Sequence, residues 1–204
     1  NSFPTAHNQG AGNARGNGRL IIAPLAHGPF DELKYPPNAA QWPIAHDPYR
    51  FFDHWLKGEA NGVAEDKAVH YYVMGDPEAK DAPGNFWRSA DNWPPPSKPR
   101  AMHFHADGKL SLDPPAAADA RRTYTYDPRK PVPTVGGQNL VIAKGPMDQR
   151  KIESRDDVLL FTSDVLEEPL EVTGRLTARL FVSSDAPDTD FTVKLTDVYP
   201  AGRS

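Results

Sequence analysis

A chain of 204 residues has room for one large domain or parts of two, and its 38 % hydrophobic and 10 % aromatic content is enough to bury a core, which excludes disorder as a description of the whole. A net charge of −4 gives no electrostatic case for nucleic-acid binding, and the absence of cysteine removes disulfides, thiolate metal sites and a cysteine nucleophile. The longest apolar run, Leu20 to Ala26, is too short to cross a membrane, and 22 prolines, where roughly 5 % is average, exclude a helical bundle in favour of strands and irregular connections.

Residues 1–18 are polar and glycine-rich. The run Arg19-Leu20-Ile21-Ile22-Ala23-Pro24 is short, apolar and rich in β-branched residues, the pattern of a strand buried on both faces in a parallel sheet. Pro24 ends it, and Leu25-Ala26-His27-Gly28-Pro29 forms a loop at its C-terminal end. Ligands collect beyond the carboxyl ends of strands in open α/β sheets, so His27 stands where chemistry is usually done. Residues 30–46 read as an irregular, proline-rich loop. A helix then begins, with Asp47 as N-cap, Pro48 at the first helical position and Gly58 as the stop. Phe51, Phe52, Trp55 and Leu56 share one face of it, with Arg50, Asp53, His54 and Lys57 largely opposite. Val69 to Met74 reads as a second strand. A polar loop leads through Phe86-Trp87-Arg88 to Trp93-Pro94-Pro95-Pro96, which is stiff and extended and marks the expected domain boundary.

Beyond the prolines the pattern turns all-β. Met102 to His105 reads as a strand, followed by the tight-turn pair Asp107-Gly108. Ser111 to Lys144 is irregular, and Val158-Leu159-Leu160-Phe161 reads as a compact strand. From Leu170 to Val182 the apolar positions Leu170, Val172, Leu176, Ala178, Leu180 and Val182 alternate with Glu171, Thr173, Arg175, Thr177 and Arg179. That period of two predicts a strand with one wet face, and Phe191, Val193 and Leu195 repeat it. An antiparallel sandwich accommodates such strands. The chain opens on Asn1 without a methionine and closes on a turn sequence, Tyr199 to Ser204, directly after a strand-like run, so it reads as a segment of something longer.

Three constellations carry chemistry. His27 is placed to act as a general base but needs a nucleophile, and no Gly-x-Ser-x-Gly elbow occurs; Ser183 and Ser184 lie at a strand end with no base nearby. His103 and His105 face the same side of a strand, as zinc ligands do, but a third ligand at recognisable spacing is missing, and a partly exposed strand face explains them equally. Asp185, Asp188 and Asp190 make an oxygen-rich loop without the glycine and closing glutamate of an EF-hand, and a structural turn explains them.

The string Arg19 to Gly28 resembles the histidine loop of the X-Pro dipeptidyl-peptidase and cocaine-esterase class of serine hydrolases, often labelled CocE/NonD. Further blocks match in family order: Phe51 to Gly58, Val69 to Gly75, Trp87-Arg88 with Trp93-Pro94, Tyr126-Asp127-Pro128, Pro131 to Gly137, Gly145 to Arg150 and Leu180 to Phe191. The resemblance implies a fold of α/β plus all-β class: residues 1–93 as the C-terminal part of an α/β-hydrolase domain, and residues 98–204 as part of a jelly-roll β-sandwich. It implies that His27 is the catalytic base, while the serine, the acid and the oxyanion tyrosine precede Asn1; residues 1–26 contain no Asp or Glu. Asn139, Leu140 and Val141, next to Gly136-Gly137, become candidates for contact with the acyl group. One departure is Leu25, where the family loop carries Trp. The implied substrate is a small-molecule ester or a short peptide or other amide, no cofactor or metal is called for, and the segment by itself is expected to be inactive. Two other readings stay open: a sandwich that binds carbohydrate or a partner protein, and a sandwich that serves as a homo-oligomer surface. An exposed aromatic platform on the sandwich, with His27 buried and satisfied, would favour the binding module, and His27 lying open at a cleft edge between the two domains the hydrolase.

Overall fold

The computed structural model describes residues 2–28, 30–43, 48–117 and 121–204, and its core is a three-stranded sheet. Strand β1 (Leu20–Ile22) pairs in parallel with β2 (Val69–Val73), which pairs antiparallel with β3 (Phe86–Ala90). In the central strand β2, Val69, His70, Tyr71 and Tyr72 are all buried, as expected for a near-continuous apolar run covered on both faces. The parallel pairing of β1 agrees with its sequence. Its burial does not: β1 lies at an edge of the described sheet and is half-buried throughout rather than covered on both faces.

Strand β3 falls where the sequence reads as a polar loop. The chain reverses at Asn85, whose φ of 59° lies in the left-handed region that asparagine tolerates. Asn85 fixes the reversal by donating its N–H to the Val73 carbonyl at 2.7 Å and its side-chain amide to the Asp76 carbonyl at 2.8 Å. Trp87 then packs edge-on against Tyr72 at 5.4 Å and donates its indole N–H to the Asn38 carbonyl at 2.8 Å. Beneath the sheet Ala68, Val69 and Tyr71 form a buried cluster, joined by Phe3, Leu20, Ile22, Val73, Ala90 and Trp93.

Phe3 comes from a helix, α1 (Ser2–Gln9), in the glycine-rich leader. Phe3 and His7, one turn apart, stack at 5.0 Å. Helix α2 (Pro48–Lys57) starts at Pro48 and gives way at Gly58, whose N–H donates to the His54 carbonyl at 3.0 Å, as its sequence predicts. Asp47, the expected cap, lies outside the described residues. The expected apolar face is only partly covered: Phe51 and Trp55 are half-buried, whereas Phe52 and Leu56 are exposed. Arg50, expected on the solvent side, is instead the anchor. It pairs with Asp66 and donates twice to the Asn61 carbonyl, at 3.1 and 2.9 Å, and the Asn61 side chain donates back to the Arg50 carbonyl at 2.8 Å.

The hairpin β4 (His103–Phe104) and β5 (Leu110–Ser111) closes through Asp107-Gly108 as its turn sequence predicts. The sandwich expected around it is not assembled among the described residues. Residues 158–161 form no strand; Phe161 packs on Phe104 at 4.6 Å, and Thr162 makes the backbone bridge to the hairpin, accepting from Leu110 N–H at 2.9 Å and donating to the Gly108 carbonyl at 2.8 Å. Residues 170–182 and 191–196 join no ladder, and Leu176, Val182, Val193 and Leu195 stay exposed. An alternating strand stays paired only when neighbouring backbone and an opposing apolar layer are at hand, and the described residues supply neither. These segments are tied down instead by polar contacts. Arg88 pairs with Glu171 at 2.9 Å, and Lys194 donates to the Gln149 side chain at 2.6 Å just before the short helix α3 (Arg150–Glu153).

Candidate active site

The loop after β1 doubles back on itself. Leu25 N–H donates to the Ala23 carbonyl at 2.8 Å, and Ala26 N–H donates to the Gly28 carbonyl at 3.0 Å. Gly28 has φ of 114°, a backbone state that a residue with a Cβ adopts only under strain. His27 therefore sits at the apex of a tight turn, exposed, with no side-chain hydrogen bond to any of the described residues. A base presented in this way can reach a group brought to it from outside the turn.

The turn is gripped from a segment more than a hundred residues away. Gln138 donates its side-chain N–H to the Leu25 carbonyl at 3.1 Å. Asp31 and Lys144 exchange two hydrogen bonds: Asp31 N–H to the Lys144 carbonyl at 3.2 Å, and Lys144 N–H to the Asp31 carboxylate at 2.7 Å. Asp148 N–H donates to Glu32 Oε2 at 3.2 Å. The gripping segment is itself a closed loop, with Gly137 and Gly145 exchanging N–H to carbonyl bonds at 2.8 and 3.0 Å. The Phe30 ring lies on Gly145 so closely that a Cβ there would overlap it. The turn at the chain's end adds a further hold: Arg203 approaches Glu78 at 3.8 Å and Glu32 at 4.0 Å while lying over the Tyr199 ring.

Asn139, Leu140 and Val141 occupy the tip of the gripping loop. Asn139 is spent on that loop: its amide donates to the Gly136 and Ala143 carbonyls at 3.1 and 3.2 Å, and its oxygen accepts from Ile142 N–H at 3.0 Å. Leu140 and Val141 are exposed at 73 % and 94 %, leaving two free apolar side chains on the loop that touches the His27 turn. The remaining candidates stand apart. Ser184 accepts from Ala186 N–H at 3.1 Å, a local turn bond. His105 donates to the Asp113 carbonyl at 3.0 Å, Asp185, Asp188 and Asp190 are exposed, and no three potential metal-ligating side chains gather among the described residues.

A second histidine escaped the sequence reading. His70 accepts at Nδ1 from the Ser89 hydroxyl at 2.9 Å across the β2–β3 ladder, and its Nε2 donates to the Lys67 carbonyl at 3.1 Å. Burial pulls its pKa below the ordinary histidine value. Both ring nitrogens are taken up, one by Lys67 just before β2 and the other by Ser89, and the His70–Ser89 bond fastens β2 to β3.

Residues 61–204 match the family model described as the X-Pro dipeptidyl-peptidase C-terminal non-catalytic domain. The chain belongs to the CocE/NonD-type X-Pro dipeptidyl-peptidase family. It is 38 % identical over 205 residues to the cocaine esterase of Rhodococcus sp. (strain MB1 Bresler), an alignment covering 91 % of this chain and 34 % of that protein. Proteins of Mycobacterium bovis and Mycobacterium tuberculosis named as serine esterases are each 34 % identical over 161 residues, covering 76 % of this chain and 24 % of theirs. The chain thus spans about a third of the first relative and about a quarter of the other two. Within the family, the matched domain is the non-catalytic one, and His27 precedes it.

Proposed function

We propose that this chain is the histidine-bearing part of a serine hydrolase that cleaves ester or amide bonds through an acyl-enzyme, with His27 as general base. The observation that carries the reading is the exposed His27 at the apex of a turn following the carboxyl end of β1, held on both flanks by the 136–149 segment. Relatives named as esterases favour an ester as the substrate. Residues 1–93 then correspond to the end of an α/β-hydrolase domain and residues 98–204 to a jelly-roll sandwich, and the serine and acid precede Asn1. The His27 imidazole takes the hydroxyl proton as the serine oxygen attacks the carbonyl carbon, then returns it to the departing alcohol or amine. For the second half it takes a proton from water, which attacks the acyl-enzyme, and gives that proton back to the serine oxygen. An upstream carboxylate holds the ring in the required tautomer. Leu140 and Val141 offer apolar contact to the acyl group.

The test is His27→Ala in the complete protein. Turnover of a chromogenic ester should fall by about 10⁴-fold, with the unfolding midpoint little changed because the side chain is exposed. Turnover within about tenfold of the unsubstituted protein would sink the assignment.

A further inference from the structure

We propose that the loop of residues 136–149 positions His27 for catalysis, with Gln138 and Asp31 as the positioning residues; this rests on His27 being the base. The two bonds bracket the histidine. Gln138 fixes the Leu25 carbonyl, two residues before it, and the Asp31 carboxylate is fixed by Lys144 N–H four residues after it. Among the described residues between these points the turn has only its own Ala26 to Gly28 bond, and the Lys144 stem comes within 3.8 Å of where a Cβ on Gly28 would lie. His27 itself has no side-chain partner among the described residues, so what this chain fixes is where the side chain leaves the backbone, and the backbone there is held by the grip. The gripping loop is suited to this because it is closed by its own Gly137–Gly145 bonds and braced inside by Asn139. It belongs to the domain described as non-catalytic, which on this inference governs the rate without touching the reacting atoms.

Displacement of a catalytic group by about 1 Å can cost on the order of 100-fold in rate, so loss of one of two flanking bonds should lower kcat by about tenfold. The experiment compares Gln138→Leu, Asp31→Ala, Asp31→Asn and His27→Ala in the complete enzyme. Its readouts are kcat and KM with p-nitrophenyl acetate, the rate of serine labelling by a fluorophosphonate, and the thermal midpoint. Asp31→Ala keeps the Asp31 N–H to Lys144 carbonyl bond, so the loop stays docked while the carboxylate bond is lost. Asp31→Asn keeps an oxygen to accept from Lys144 N–H. Expected are a kcat about tenfold lower in Gln138→Leu and Asp31→Ala, a parallel fall in labelling rate, KM within twofold, an unmoved midpoint, and recovery in Asp31→Asn. A kcat within twofold in both variants, alongside an inactive His27→Ala, would overturn the positioning role alone. So would a loss that follows the thermal midpoint and is not recovered by Asp31→Asn. An active His27→Ala would overturn the underlying reading and this inference together.

Discussion

His70 is held as a neutral ring, accepting from Ser89 on one side and donating to the Lys67 carbonyl on the other. Its folded pKa lies below the ordinary 6.5, first because burial penalises the charged ring, with Arg19 acting in the same direction and the Lys67 carbonyl and Asp66 opposing. Above pH 6.5 the ring is neutral in both the folded and unfolded chain and adds no slope. As pH falls below about 6.5 the unfolded chain takes up a proton that the folded chain refuses, so unfolding becomes progressively easier until the lower folded pKa is passed. The thermal midpoint should therefore decline from pH 6.5 downward, and His70→Gln should flatten that decline. An unchanged slope in the variant would assign the pH dependence to other groups. Gly145 presents a different single-residue constraint. It is buried, its φ is 90°, and the Phe30 ring occupies the space a side chain would take. Gly145→Ala combines backbone strain with overpacking and should cost more than about 1 kcal/mol, read as a lower denaturant midpoint at unchanged m.

At the scale of elements, α2 is fastened to the body by one arginine more than by its apolar face. Arg50 joins the helix to Asn61 and Asp66 through charge-assisted hydrogen bonds, while Phe52 and Leu56 remain exposed. Arg50→Ala should cost about 2 kcal/mol, and hydrogen exchange should show the amides of α2 opening well before those of β2. Equal protection in both elements would place the anchor elsewhere. What could be read from the chain beforehand were elements with local instructions: Pro48 and Gly58 bounding α2, the apolar runs of β1 and β2, and Asp107-Gly108 closing the β4–β5 hairpin. What could not be read was pairing set at a distance. Strand β3 has two adjacent aromatics and no clean alternation, and it exists because Asn85 reverses the chain onto β2. Helix α1 is marked only by Phe3 and His7. The same division runs through the site. The position of His27 after β1 is legible in the sequence, but the bonds that Gln138 and Asp31 make around its turn join residues 113 apart and carry no local motif.

Across the whole molecule, the two halves of the chain differ in how their apolar residues are used. The β1–β3 sheet buries Val69, Tyr71 and Tyr72, whereas the segment from Leu170 onward keeps Leu176, Val182, Val193 and Leu195 exposed by 56–63 % and pairs none of its backbone in a ladder. A period-two segment with a bare apolar face and free N–H and C=O groups is a template for pairing with any available strand. The 204-residue chain purified by itself should therefore self-associate with rising concentration and bind an apolar fluorescent dye. Leu176→Lys together with Val182→Lys, on one face of the alternation, should reduce both effects by placing charge on the pairing surface. In the complete protein the same pair should instead destabilise by about 2 kcal/mol or more, because a covered sandwich face would have to bury two ammonium groups. Opposite responses in the two settings would identify this face as one buried in the complete protein. A monodisperse, dye-silent chain, or a complete protein indifferent to the two lysines, would show that the face is built for water.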